Sequence, residues 1–124
     1  MNTLVVPEVE NRGLRLGLHA LTPQERDVFV VYDLQLYYEM EGCFADHISN
    51  ASEKFDWLED TLKRIGDLGS MRLVRQLREL NADGSGQAFA LCDKYHAAKD
   101  FLWACLERYL LSQGIQLKWE RNDA

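Results

Sequence analysis

Cysteine and histidine occur twice in this chain at a spacing that suits a metal ion. Cys43 precedes His47 by four positions, and Cys92 precedes His96 by four. On two helices, this spacing places a thiolate and an imidazole on one side of each, and two such pairs would complete a tetrahedral zinc site. Cys92, however, falls on an apolar helix face, where buried free cysteine is common. The sequence therefore predicts no metal, with zinc at these four residues as the alternative.

No pattern typical of an active site is present. His19, His47 and His96 have no serine or cysteine nucleophile at a recognisable spacing. Glu39 and Glu41 have the chemistry of a general acid and base, but neighbouring acids are ordinary on a solvated surface. We therefore expect no enzymatic activity and no cofactor. The alternative is an enzyme or small-ligand-binding protein with a pocket at the Gly42 corner.

Acidic residues are concentrated in one part of the chain. Residues 22–60 contain ten acids and two bases, whereas residues 61–80 contain five bases and two acids. Carboxylates three or four positions apart on a helix lie roughly 5–6 Å apart and approximate a row of phosphates. The sequence therefore predicts an acidic surface that binds a basic protein partner. The residues expected to form it are Glu39, Glu41, Asp46, Glu53, Asp56, Glu59 and Asp60.

The same charges also have a purely structural interpretation. An acidic helix and a basic helix that pack as neighbours would neutralise each other. Glu59 with Lys63, and Asp60 with Arg64, would be ordinary pairs along one helix, worth a few tenths of a kcal/mol each. The bases of the following helix are Arg72, Arg75 and Arg78. Pairing of the acids with these arginines would argue against a continuous acidic surface.

Capping signals define the long helices that must position these residues. Thr22, Pro23 and Glu25 together form a helix start with a capping box, which predicts a helix from Pro23 to about Glu41. Its apolar residues cover almost the whole circumference, as in a buried helix. A second long helix is expected from about Gln87 to Ser112. We expect these two helices to form the packed centre.

Shorter elements complete the expected architecture. A turn or short helix over residues 44–49 should lead into a helix that begins near Asn50 or Ser52 and ends at Ile65, before Gly66. A further helix should carry the arginines of residues 72–78. Residues 1–21 are expected to be irregular, and residues 115–124 to be a tail anchored by Trp119. The prediction is an all-α, single-domain bundle of about five helices over residues 1–124.

Size and composition limit the class of protein. A chain of 124 residues with 47% hydrophobic and 27% charged residues is typical of one folded domain. The net charge of −6 disfavours direct binding to nucleic acid or to an anionic membrane. Three cysteines without a signal-peptide pattern indicate free thiols and a cytoplasmic location. No apolar run is long enough to span a bilayer.

The corner at Glu41-Gly42-Cys43-Phe44, followed by Asn50 and an amphipathic helix, resembles that of a family of small bacterial proteins. The family hallmark is an Asn-Gly-Gly-Phe corner, then Gln, two aromatic or apolar residues and Asn. The positions that keep this pattern are Gly42, Phe44, Ile48 and Asn50. The positions that depart from it are Glu41 (Asn in the family), Cys43 (Gly), Asp46 (Gln) and His47 (aromatic).

The resemblance, which would cover residues 22–112, implies an all-helical fold and a kind of partner. The family is mostly of unknown function and includes a DNA mimic, whose acidic surface occupies the DNA-binding face of a basic protein. It thus implies an acidic interaction protein whose partner is a DNA-binding protein. An immunity protein that neutralises a basic toxin is the alternative. Trp57, if exposed on its helix, would instead indicate a homodimer face or a partner anchor.

Overall fold

The computed structural model describes residues 2–41, 53–80 and 86–120, without the side chains of residues 41 and 86–89. Most of these residues are helical, so the expected helical fold is confirmed. The helices are α1 (Val6–Leu16), α2 (Pro23–Glu41), α3 (Glu53–Ile65), α4 (Leu68–Glu79) and α5 (Gly86–Ser112), with a 3₁₀ turn at Leu18–Ala20. Two short strands, β1 (Asn2–Val5) and β2 (Ile115–Lys118), complete the described elements.

Helix α2 begins and ends where its capping signals predict. The Thr22 amide donates to Glu25 Oε1 at 2.9 Å, and the Glu25 amide donates to Thr22 Oγ1 at 3.2 Å. This reciprocal pair is the expected capping box. The middle of the helix, including Val28, Val31 and Leu34, is buried. The prediction of a central, buried helix is therefore confirmed.

The N-terminal segment is not irregular, which corrects the prediction for residues 1–21. Strand β1 leads directly into α1, and Gly17, with φ of 92°, ends that helix. Gly13 is a contact point with α2. A Cβ at Gly13 would lie 2.3 Å from the ring of Phe29. The glycine therefore allows a close approach between two helices, where sequence patterns suggested a loop.

The segment from Ile115 to Lys118 is likewise ordered, because it pairs with β1. The two strands are parallel, in a register that matches Asn2 to Ile115 and Val5 to Lys118. Gly114, with φ of 76°, turns the chain out of α5 into β2. The ends of the described chain thus meet in one small sheet. No local periodicity reveals such pairing, which is why the sequence predicted only a tail.

Helices α3 and α4 pack against each other and against α5. Gly66, with φ of 90°, ends α3, and Asp67 caps α4 by accepting a hydrogen bond from the Ser70 amide at 3.1 Å. The fully buried side chains of this region include Leu62, Leu77 and Leu106. The helix boundaries here agree with the predictions to within a few residues. No helix in the described part of the chain is long and apolar enough to cross a membrane.

The cysteines differ from the expectation of free thiols. Cys105 is a free, buried thiol, and burial raises its pKa. Cys92 is also buried, but it is disulfide-bonded. A disulfide locks its sulfur out of both thiol chemistry and metal ligation. The prediction of free thiols therefore holds for Cys105 and is wrong for Cys92.

Candidate functional site

The outer face of α3 carries the predicted acids that the structure brings together. Glu53, Asp56 and Asp60 follow one another at intervals of three and four residues, so they project from one side of the helix. All three are exposed, and the side chains of Glu53 and Asp56 are 62% and 65% accessible. From first to last they span about 10 Å, at 1.5 Å per residue. We call these three residues the acidic stripe.

Helix α4 sets the limit of the acidic stripe by pairing with α3. Arg78, which is buried, donates to Asp56 Oδ1 at 2.6 Å and to Glu59 Oε2 at 2.5 Å. Arg75 donates to Glu59 Oε1 at 2.9 Å. Glu59 is therefore largely buried between two guanidinium groups and lies outside the stripe. Asp56 keeps most of its accessible surface, so it contributes to both the salt bridge and the stripe.

The remaining predicted acids lie elsewhere. Glu39 is exposed on α2 and accepts a hydrogen bond from Gln35 Nε2 at 3.0 Å. Glu41 is the last residue of α2, and neither its side chain nor Asp46 belongs to the described part of the chain. Within the stripe, Glu53 also contacts His19 Nε2 at 2.5 Å. The seven predicted residues therefore divide into a stripe of three, one acid held by arginines, one acid on α2 and two that lie outside the description.

Part of the negative charge of residues 22–60 lies in the interior, and Asp27 is an example. Its side chain is 1% exposed and accepts hydrogen bonds from three residues of α3. Arg64 Nη1 lies 2.8 Å from both carboxylate oxygens, the Thr61 hydroxyl 2.8 Å from Oδ1, and Trp57 Nε1 3.3 Å from Oδ1. A buried carboxylate needs such compensation because it has lost its hydration. Asp27 therefore fastens α2 to α3 and offers no charge to a partner.

A second internal cluster joins α1, α2 and α3. Lys54 Nζ lies 2.6 Å from Asp33 Oδ2 and 4.7 Å from the centre of the Tyr37 ring. Beside them Glu10 is buried, and its Oε2 has no hydrogen-bond partner within the described residues. Burial, followed by hydrogen bonding and charge repulsion from Asp33, raises the pKa of Glu10 to about 8, while Lys54 opposes the shift. Glu10 is therefore held mainly as a neutral acid at pH 7.

Glu25 is the third buried acid of α2. Besides closing the capping box with Thr22, it forms a salt bridge with Arg12 of α1. Arg12, Lys54 and Arg64 thus each neutralise one internal carboxylate. The sequence missed these roles, although an acid inside an apolar helix is itself a signal of internal pairing. The acidic stripe on α3 is consequently a smaller surface than the sequence charge suggested.

A concave region that the sequence did not predict lies between α2, α5 and the residue after β2. We call it the indole pocket. It has a volume of about 350 Å³ and is lined by Gln35, Lys99, Asp100, Trp103, Ala104, Glu107 and Trp119. The sequence did contain a signal for this site. Trp103, Ala104 and Glu107 follow Asp100 by three, four and seven positions, so all four lie on one face of α5.

The aromatic walls of the indole pocket are fixed by their own contacts. The rings of Trp103 and Trp119 lie 4.7 Å apart, and Tyr32 meets each of them edge-on, at 6.3 and 5.5 Å. Trp103 Nε1 donates to Gln35 Oε1 at 2.5 Å. The Gln35 amide therefore bridges Trp103 and Glu39. These contacts make the pocket a rigid surface with one exposed indole, that of Trp119 at 47% accessibility.

The zinc alternative requires a free thiolate at Cys92. The disulfide at Cys92 removes one proposed ligand, and His96 stacks on Tyr38 with ring centres 5.3 Å apart. Cys43 and His47 lie outside the described residues, and within those residues no group of three or more potential ligands could hold a metal.

Trp57 is half-buried beneath Arg26, whose guanidinium lies 4.2 Å from the ring centre. It is therefore not an exposed anchor.

Comparison with known proteins adds no relative. No protein-family model, no curated protein and no solved structure matches the chain. The family membership suggested by the Gly42 corner stays a prediction, and that corner lies outside the described residues.

Proposed function

We propose that this protein is an interaction module that binds a basic segment of a protein partner through the acidic stripe, Glu53, Asp56 and Asp60. The observation that carries the proposal is the placement of three exposed carboxylates on one face of a helix whose other face is anchored in the core by Phe55, Leu58 and Leu62. A rigid support lowers the conformational entropy lost on binding. The charge that remains available is therefore presented in a fixed pattern.

The spacing of the stripe suits a basic helix or an extended basic tail. Lysine or arginine side chains that recur every three or four residues along a partner helix would meet the three carboxylates in turn. Because Arg75 and Arg78 bound the stripe on the α4 side, the surface suits a short basic segment better than it imitates a long phosphate row. DNA mimicry is the narrower form of this proposal, in which that segment is the DNA-contacting part of the partner.

The test compares a variant that lacks the three charges of the stripe with a control variant that has the same total charge. The variant carries Glu53→Gln, Asp56→Asn and Asp60→Asn. The control carries Glu79→Gln, Asp93→Asn and Glu120→Gln, three acids that are also exposed. Both proteins and the unchanged chain are immobilised, and proteins captured from lysate at low ionic strength are quantified by mass spectrometry.

We expect basic proteins to be captured by the unchanged chain and by the control, and about tenfold less by the stripe variant, because each exposed ion pair contributes roughly 0.2–1 kcal/mol. Capture should weaken as salt is added. Equal capture by the variant and the control would contradict a specific role for the stripe. Release of the partner by duplex DNA would support the DNA-mimic form, whereas a captured basic toxin that DNA does not displace would support the immunity alternative.

A further inference from the structure

The indole pocket combines two features that proteins use to bind organic cations. The first is an aromatic wall, formed by the exposed indole of Trp119 against Trp103. The face of an indole ring attracts a positive charge more strongly than any other aromatic side chain does. The volume of the pocket, about 350 Å³, is within the range of roughly 300–1,000 Å³ that holds small ligands.

The second feature is the charge of the lining residues. Asp100 and Glu107 lie three positions before and four positions after Trp103, so a carboxylate stands on either side of the indole along α5. Within the described part of the chain neither forms a salt bridge. Lys99 also lines the pocket, and two carboxylates against one ammonium leave the lining net negative. A cation would thus be attracted, and a phosphate would be repelled.

A third carboxylate reinforces this field from behind the wall. Glu39 is held by the Gln35 amide, which also accepts the indole hydrogen of Trp103. Tyr32, whose ring packs against both indoles, has its pKa raised first by burial and then by the neighbouring carboxyl groups, Glu39 before Glu10. The charge of Glu39 therefore adds to the negative potential of the pocket's own carboxylates at the aromatic wall.

We propose that the indole pocket binds the guanidinium group of an arginine side chain. The inference rests on the proposed function in one respect only, that the arginine belongs to the basic partner. A guanidinium is planar and weakly hydrated, so it stacks on an indole while its N–H groups reach carboxylates at the edges. The ammonium of lysine is a more strongly hydrated point charge and has no face to stack. Arginine is therefore the preferred occupant over lysine.

The test measures binding of single amino-acid derivatives to the purified full chain. The probes are N-acetyl-argininamide, N-acetyl-lysinamide and N-acetyl-citrullinamide, the last of which has the shape of arginine without its charge. The readout is the NMR signal of the indole N–H groups. Trp57 serves as an internal reference, because it lies beneath Arg26 and beside Asp27, away from the pocket.

We expect the arginine probe to shift the signals of Trp103 and Trp119 in a saturable way, with a Kd on the order of 1–10 mM, as befits one side chain without the rest of a partner. The lysine probe should bind more weakly, and the citrulline probe should leave both signals unchanged. Equal shifts with citrulline, no shift with arginine, or shifts that are as large at Trp57 would each overturn the proposal.

Variants that remove the carboxylates of the lining test whether the arginine probe binds in the pocket. Asp100→Asn combined with Glu107→Gln should weaken arginine binding about tenfold, whereas the double variant Glu79→Gln with Asp93→Asn, which removes two exposed charges outside the lining, should not. These substitutions keep the aromatic wall, and the indole signals themselves report that it is intact. Unchanged affinity in the first double variant would contradict the proposal.

The stripe variant of α3 separates this inference from the proposed function. It should bind the arginine probe like the unchanged chain, because none of its three substitutions lies in the pocket. Probe binding together with equal partner capture by the stripe variant and its control would therefore contradict only the stripe's role. Absence of probe binding together with stripe-dependent capture would contradict only the pocket.

Discussion

Asp27 and Asp33 lie on the same helix, and each carboxylate is compensated by a cation from α3. Arg64 approaches Asp27 at 2.8 Å, and Lys54 approaches Asp33 at 2.6 Å. The sequence shows such residues only as polar breaks in an apolar helix. Whether an acid is internal depends on which side chain of another helix reaches it, and no local pattern encodes that contact. At the residue scale, therefore, the chemical types were predictable and their partners were not.

The neutral acid Glu10 makes the stability of the fold depend on pH. Its pKa in the folded protein, about 8, is above the ordinary value of about 4.3 that applies in the unfolded chain. Between these values the folded state holds a proton that the unfolded state has released. This contribution to stability is therefore complete below about pH 4 and is lost as the pH rises through 8, with a slope of up to about 1.4 kcal/mol per pH unit.

Glu10→Gln should remove that slope, because the amide is neutral at every pH. The measurement is the free energy of unfolding in urea at several pH values from 5 to 8. We expect the difference between the variant and the unchanged chain to shift in favour of the variant as the pH rises. A difference that stays constant over this interval would mean that Glu10 does not carry the proton.

Helix boundaries were predicted well because the signals that set them are local. The capping box of Thr22 and Glu25 lies within four residues, and Gly66 ends α3 at the expected position. Helix α1 was missed for the opposite reason. Gly13 lowers helix propensity, and its value to the fold appears only when Phe29 is placed against it. Propensity predicts an element poorly where tertiary contact supplies the stabilisation.

Two glycine substitutions distinguish these effects. Gly13→Ala gains up to about 1 kcal/mol of helix propensity but forces a methyl group into the ring of Phe29, so a net destabilisation of about 1–2 kcal/mol is expected. Gly69→Ala on α4 is the matched control, since a Cβ there would be no closer than 3.8 Å to Asp67 Oδ1. It should stabilise by up to about 1 kcal/mol. Urea denaturation measures both, and stabilisation by Gly13→Ala would contradict the close approach.

At the scale of the whole molecule, the acidic composition is divided between the interior and the surface. Buried pairs such as Glu25 with Arg12 hold the helices together, whereas the exposed acids include the stripe on α3 and two residues that line the indole pocket. Net charge and its distribution along the sequence predicted a preference for a basic partner. They did not predict which acids face solvent, because that depends on packing between helices far apart in the chain.

The parallel pair of β1 and β2 closes the described fold, since it joins the first described residues to those after α5. Removing all residues after Gly114 deletes β2 together with Trp119. It leaves Val5 without the strand it pairs with and uncovers one side of Tyr32. Each buried apolar side chain that is lost or uncovered costs about 1.5–3 kcal/mol. We therefore expect the truncated chain to melt at least about 10 °C lower than the full chain.

Hydrogen exchange shows whether this loss is transmitted to the N-terminal strand. In the full chain the amides of β1 that donate to β2 should exchange as slowly as those of the helices it packs on, because they are hydrogen-bonded across the ladder. In the truncated chain they should exchange rapidly even where α2 and α5 remain protected. Gln116→Ala, an exposed position on β2, preserves the backbone ladder and should change neither quantity. Retained protection in β1 after truncation would show that α1 alone holds the strand, and the two ends of the fold would then be independent.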